Sequence, residues 1–298
     1  MKIPSAVLAA LLFVATPGFA EIGSAAVDDA QVGEAESVMT MRVQGEIGFD
    51  TSGKVVHHQI TTPIDAPIRA IVETVVKKWR FHPYLKDGVA VNIKTPFELT
   101  LVGRAQADGN YAITAETARF GVSRYDCKDG NSDSCKQANP IVHTPRKPAY
   151  PPALARAGVG GQVMVYLYIN PDGTIADAKV AQTALFGVKG NPQELEKARR
   201  SLEVECLAYA KRIQVTPGSG DLVGGGDTHR VAGLPFRFNA NGAFNDNLGE
   251  WRLEARGRKR VADWMKDFEN VPGASDAAGG GLLSMRSEYR LMTPPPQG

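Results

Sequence analysis

The sequence predicts an α+β protein of two ββαβ units, each a three-stranded antiparallel sheet with one helix on one face. Three observations carry the prediction. A strand, turn and returning strand occur twice at a spacing of 120 residues, an amphipathic helix follows each occurrence, and an alternating strand ends each unit. The chain is long enough for both: 298 residues, 43% apolar and 22% charged, suggest about two domains with real cores and exclude a disordered or collagen-like chain.

In the first unit Val43 to Phe49 runs into Asp50-Thr51-Ser52-Gly53 and returns as Val55 to Ile60. In the second, Val163 to Ile169 runs into Asn170-Pro171-Asp172-Gly173 and returns as Ile175 to Val180. Alternating strands around a tight turn that ends in glycine are hairpins. After the first, Ile68, Ile71, Val72, Val75, Val76 and Trp79 recur at helical steps, with Asp65 placed to cap and Pro67 in the first turn. After the second, Leu195, Ala198, Leu202, Cys206, Tyr209, Ala210 and Ile213 form the same stripe, opened by Asn191, Pro192 and Glu194 as cap, first-turn proline and third-position carboxylate. Lys77, Lys78, Arg199 and Arg200 then fall on the solvated face rather than in a nucleic-acid site. Val91, Ile93, Phe97, Leu99 and Leu101 close the first unit, and Leu234, Phe236 and Phe238 close the second. Proline cannot donate to a central ladder, so Pro96 and Pro235 place both closing strands at sheet edges. The spacing between units grows from 120 to 134 at the helix ends and 139 at the last strands, through loop insertions in the second unit.

Pro148-Ala149-Tyr150-Pro151, Gly161-Gln162-Val163, the Asp172-Gly173 turn, Ile213-Gln214-Val215-Thr216-Pro217 and Leu234-Pro235-Phe236-Arg237-Phe238 resemble the C-terminal domain of TonB energy transducers. The first unit is similar to it through Trp79-Arg80-Phe81-His82-Pro83, Asp87-Gly88 and Pro96-Phe97-Glu98-Leu99. The resemblance implies a periplasmic domain that grips outer-membrane receptors by adding their extended TonB-box peptide to an open sheet edge. An edge strand offers unpaired N–H and C=O groups, and strand addition needs little else. Carried over residue by residue, the partner-binding positions are Tyr150 and Pro151 and the closing strand Val231, Ala232, Gly233, Leu234, Pro235, Phe236, Arg237 and Phe238. Leu234, Phe236 and Phe238 face the core on this reading, which leaves the strand backbone for the partner. Tyr150 has a second reading as a staple that holds the chain to the sheet.

Residues 1–20 join Lys2 to an apolar run from Ala6 to Ala15 and then to Pro17-Gly18 before Ala20. This is the pattern of a secretory signal peptide cut after Ala20; the competing reading is an uncleaved anchor, at the short end of a membrane span and broken in its last turn by Pro17-Gly18. Export implies a soluble periplasmic protein in an oxidising compartment, where Cys127 and Cys135 can close a disulfide across CKDGNSDSC worth about 2.5 kcal/mol. The third cysteine, Cys206, reads as an inert buried thiol on the helix stripe. The acidic residues of the same loop depart from the EF-hand spacing.

The expected organisation is thus a leader over 1–20, a linker over 21–38, a first TonB-C-like domain over 39–104, a connector with the cysteine loop over 105–141, a second such domain over 142–240, and an amphipathic helix and flexible tail over 241–298. Within the connector Tyr111, Ile113 and Ala115 alternate, as an extra strand or a hairpin packed between the domains would. Near the C-terminus Trp264, Met265 and Phe268 among Arg258, Lys259 and Arg260 suggest a basic helix over 259–268, docked on the second domain or touching an anionic membrane surface. About 20 residues between leader and first unit reach at most about 70 Å, too little for the long spacer of an energy transducer and in keeping with a soluble adaptor.

With 34 Lys and Arg against 32 Asp and Glu the chain is no dedicated nucleic-acid binder. Neither GxSxG, HExxH nor SxxK occurs, no GKS or GKT follows Gly224-Gly225-Gly226, and His57-His58 point to opposite faces of a strand. The expectation is therefore a non-catalytic protein without cofactor or metal, binding an envelope protein or receptor peptide in the context of TonB-dependent transport. Its open edges also invite homodimerisation. The alternative is an envelope enzyme or enzyme subunit that uses the fold as scaffold.

Overall fold

The computed structural model describes residues 30–32, 35–121, 141–143, 147–216, 224–225, 229–240, 246–266, 268, 271–276, 282–285 and 289–292. Its principal elements are β1 (Glu36–Phe49), β2 (Val55–Ile60), α1 (Ala66–Lys78), β3 (Ile93–Ala105), β4 (Tyr111–Phe120), α2 (Pro152–Arg156), β5 (Gly160–Ile169), β6 (Ile175–Phe186), α3 (Pro192–Ala210), β7 (His229–Phe238) and β8 (Arg252–Arg256). The fold is α+β, with one large antiparallel sheet and few helices.

Both hairpins form where the sequence places them. β1 pairs β2 with Phe49 opposite Val55, and β5 pairs β6 with Ile169 opposite Ile175. Their turns end in Gly53 and Gly173 at φ of 80° and 85°, backbone that only glycine adopts without strain. Space forbids a side chain too: a Cβ would lie 1.8 Å from the Phe81 carbonyl oxygen in one turn and 2.0 Å from that of Val215 in the other. The close approach is a hydrogen bond, Phe81 N–H to Gly53 O and Val215 N–H to Gly173 O, each 2.9 Å. The segment leaving each helix is thereby tied to the tip of its own hairpin.

Each helix buries its predicted stripe against the sheet. Val72 and Val76 of α1 pack with Met41, Val43, Ile47, Phe49, Phe97, Leu99 and Leu101, and Trp79 stands edge-on to Phe97 and Phe120. Leu202, Cys206, Tyr209 and Ala210 of α3 pack with Val163, Val165, Leu167, Ile169 and Phe236. Each such side chain contributes about 1.5–3 kcal/mol by leaving water. The helix starts differ. Asn191 and Glu194 form a reciprocal capping box, whereas Asp65 occupies the cap position of α1 without a side-chain hydrogen bond. Arg199, expected in solvent, is buried: its stem lies over Gly257, and its guanidinium pairs with Glu196 at 3.0 Å.

The largest departure from expectation is that two separate three-stranded sheets do not form. One ten-stranded sheet runs in the order Gly224–Gly225, β7, β5, β6, β8, β1, β3, β4, with β2 also on β1 and Leu283–Ser284 also on β7. β8 joins the halves, pairing Ala184–Phe186 on one side and Glu36–Thr40 on the other. The first closing strand is therefore not an edge, and among the described residues the second is one only past Gly233, where Pro235 stands. β4, the expected extra strand, covers β3 from Phe97 opposite Phe120 to Ala105 opposite Tyr111. Pro96 is tolerated because it sits just beyond that ladder, where its carbonyl accepts the Gly121 N–H at 3.3 Å and no N–H is required of it. Register also trims the last spacing to 137, since Leu99 faces Val43 and Phe236 faces Val163; a shift of two residues keeps the same face inward.

The region 259–268 is not an α-helix. Lys259–Val261 is a strand on Ala30–Val32, and Asp263–Met265 is a single 3-10 turn. Ala262, Met265 and Phe268 recur every three residues and seat together on Met164 and Tyr166, on the sheet face opposite the helices. The basic residues are spent internally: Arg256 on Glu36 and Glu116, Lys259 on the Val271 carbonyl, Arg260 on Glu203. Among the described residues the basic helical stripe expected over 259–268 does not form. Residues 271–276, 282–285 and 289–292 also pack on the fold, in place of a free tail. Ser275 bonds Glu254 at 2.6 Å, and Asp276 accepts from Gly273 N–H at 2.7 Å and from the Thr100 hydroxyl. Glu254 itself is fully buried at the seam, held by Arg252 and by Thr40 at 2.7 Å. The leader, Cys127, Cys135 and the acidic loop lie outside the described residues, as does most of the Gly218–Asp227 loop. Among the described residues no helix is long and apolar enough to cross a membrane.

Candidate partner-binding edge

The residues singled out for partner contact come together around the closing strand of the second half. Tyr150 precedes α2, which opens at Pro151; the Pro151 carbonyl accepts the first helical bond, from Ala155 N–H at 3.0 Å. The Tyr150 hydroxyl donates to the Val159 carbonyl at 2.6 Å, and its ring rests 5.3 Å from that of Phe238. Burial pushes the phenol pKa up, so it stays a donor. Tyr150 thus acts as the staple, holding the pre-strand segment against the end of β7.

β7 pairs with β5 from Arg230 opposite Ile169 to Phe238 opposite Gly161. Ala232, Leu234, Phe236 and Phe238 enter the helix-side core, and Val231 enters the cluster on the opposite face. The side chains are committed to the fold, as expected, and Arg237 is half-buried. The outer side of the strand is partly filled. Gly224 and Gly225 lie opposite Arg230 and His229, and Leu283 and Ser284 opposite Gly233 and Ala232. Gly233 admits this neighbour because it has no side chain: a Cβ there would meet the sulfurs of Met164 and Met285, each at 3.2 Å. Past Gly233 no described strand lies along that side. In the first half, by contrast, β4 fills the whole outer side of β3 from Phe97 onward. Sequence reasoning missed both fillers' positions; the alternation of Tyr111, Ile113 and Ala115 was a signal for β4, but two residues such as Leu283–Ser284 carry none.

Other candidate chemistry is not assembled. Cys206 is buried, and desolvation together with Glu203 and Glu205 drives its thiol pKa far up, which leaves it unreactive. Among the described residues no three His, Cys, Asp or Glu stand close enough to hold a metal ion. A cleft of about 330 Å³ at the start of α1 is lined by Met41, Pro63, Ile64, Asp65, Ile68, Gly249 and Trp251. One carboxylate in an open cleft is no convergent polar constellation.

Fold and edge together describe a class: an α+β protein whose sheet shields its helix-side core and leaves strand backbone at its rim. Residues 146–185, from the pre-strand segment through β5 and β6, match the family model of the Gram-negative bacterial TonB protein C-terminal domain. The resemblance read from the motifs holds in that stretch, and the chain carries one detected segment of this kind. No curated protein and no solved structure matches the chain.

Proposed function

We propose that this is a non-catalytic, TonB-like periplasmic protein, built from two copies of one ββαβ unit, that binds an extended peptide of an envelope partner by strand addition. The docking row is the outer side of β7 beyond Gly233, with Tyr150 and Pro151 fixing the end of that strand at Phe238. The observation that carries this reading is the location of the family match: it covers α2, β5 and β6, and β7 is the next strand outward. Main-chain groups along such a row give affinity without any side chain being released from the core. Equivalent turns at Gly53 and Gly173 support common descent of the two halves, and filling of β3 by β4 favours the second half for partner binding. The outer side of β4 is where two copies would pair.

In-cell photo-crosslinking tests it. A photoreactive residue at Arg237 is expected to capture an envelope protein in the native cell, whereas one at Glu98, under β4, captures none. Absence of any adduct from position 237, or equal adducts from both, sinks strand addition at β7. Export is checked by N-terminal sequencing of the periplasmic form, which is expected to begin at Glu21.

A further inference from the structure

A strand-accepting position recurs where each long helix ends. Beyond α1 the chain runs extended through Arg80, Phe81 and His82; beyond α3 it runs through Gln214–Thr216, 134 residues later. The middle residue of each triplet, Phe81 or Val215, donates its N–H to the hairpin glycine. Backbone groups of the flanking residues point the other way and take up an extended segment from elsewhere in the chain. In the second half that segment is Ile141–His143, antiparallel, with Val142 opposite Val215. In the first half it is 290–292: Met292 N–H donates to Arg80 O at 2.7 Å, His82 N–H donates to Arg290 O at 2.9 Å, and Leu291 lies opposite Phe81.

The two occupants come from unrelated parts of the chain, one before the second half and one after both. They share only an apolar middle residue, Val142 or Leu291, seated in the adjoining core. Equivalent positions filled by unlike segments select for extended backbone with alternating apolar residues, which is how strand-addition sites read their ligands. The first-half site adds an aromatic requirement. Tyr289, two residues before Leu291 and on the same side of the strand, stands edge-on to Phe49 at 5.7 Å and against Tyr84 at 5.4 Å. Among the described residues this segment pairs with the fold at the single antiparallel bridge of Leu291 with Phe81, flanked by those two backbone hydrogen bonds, and Arg290 and Met292 are exposed. Segments anchored this lightly open without global unfolding.

We propose that Arg80–His82, with Phe49, Phe81 and Tyr84, is an exchangeable docking site for an extended peptide of aromatic–x–aliphatic pattern, and that the chain's own Tyr289–Met292 is its resident occupant. The site is separate from the outer side of β7 and does not depend on any partner binding there.

The test uses the full chain carrying Leu291→Asp and a fluorescent synthetic peptide of residues 287–298, followed by anisotropy. The peptide is expected to bind this variant at least tenfold more tightly than the unaltered chain, and a peptide with the same Leu291→Asp change is expected not to bind. Equal binding to both chains, or none to a variant with unaltered circular dichroism, overturns the site. Should the variant not fold, hydrogen exchange on the unaltered chain decides: the His82 and Met292 amides are expected to exchange at least 100-fold faster than that of Val43, and equal protection overturns exchangeability. A concentration-dependent dimer that Leu291→Asp abolishes would move the occupant to a second copy and overturn its assignment within one chain.

Discussion

β1 and β5 hold equivalent places in the two halves, and they agree on one face and differ on the other. Toward the helices, Val43, Ile47 and Phe49 correspond to Val163, Leu167 and Ile169, all buried aliphatics or aromatics. On the opposite face Arg42, Gln44, Glu46 and Gly48 correspond to Gln162, Met164, Tyr166 and Tyr168. The helix-side residues seat α1 and α3; the others decide what else the chain lays on the sheet. In the second half an apolar face receives Ala262, Met265, Phe268 and Val271. In the first half Arg42 pairs with Glu98 at 2.6 Å, and Gln44 and Arg119 join the same carboxylate. One scaffold thus carries a cover on one side of its seam and a charged cluster on the other.

The equivalence is most exposed to attack at the hairpin glycines. Gly53→Val and Gly173→Val should each cost at least about 4 kcal/mol in urea unfolding, because both strain and collision with a carbonyl oppose them. Tolerance of either one alone would break the comparison. The charged face comes next: Glu98→Gln strands the buried Arg42 guanidinium and should cost about 3 kcal/mol. Burial alone would raise the Glu98 pKa, but Arg42, with help from Arg119 and Gln44, holds it below the ordinary carboxylate value. Its stabilising contribution is therefore full above the unfolded-state pKa and lost as pH falls through the depressed one, and an acid titration of Glu98→Gln should lack that loss. Gly233→Val should cost about 2 kcal/mol by unseating Leu283 and Met285, and should raise hydrogen exchange at the β7 rim. The smallest effect separates the helix starts: Asn191→Ala should cost about 1 kcal/mol and Asp65→Ala under about 0.5 kcal/mol, measured the same way.

Local patterns were legible and their assembly was not. The hairpins, both long helices, the closing strands and the burial of Leu234, Phe236 and Phe238 follow from period-2 and helical alternation, which the core enforces directly. β8 was not legible. Arg252, Glu254 and Arg256 resemble a solvated strand, yet they are buried because Glu254, Glu36 and Glu116 neutralise the guanidinium groups in place. The proline rule for edges failed at Pro96 for a related reason: it identifies a missing donor, not which end of a ladder lacks the need for one. Around the candidate edge, the contact of Tyr150 with Phe238 joins residues 88 positions apart and no periodicity encodes it.

The strand that unites the sheet arrives late. Glu36 faces Arg256 across the seam, 220 residues further along, so both hairpins and both long helices precede in sequence the strand that closes the sheet. Until it pairs, the Glu36–Thr40 end of β1 and the Ala184–Phe186 end of β6 wait with unfilled ladders. Such long-range closure is slow and exposes strand ends to mispairing. Refolding should accordingly show early helix formation followed by a slower phase in which β8 docks.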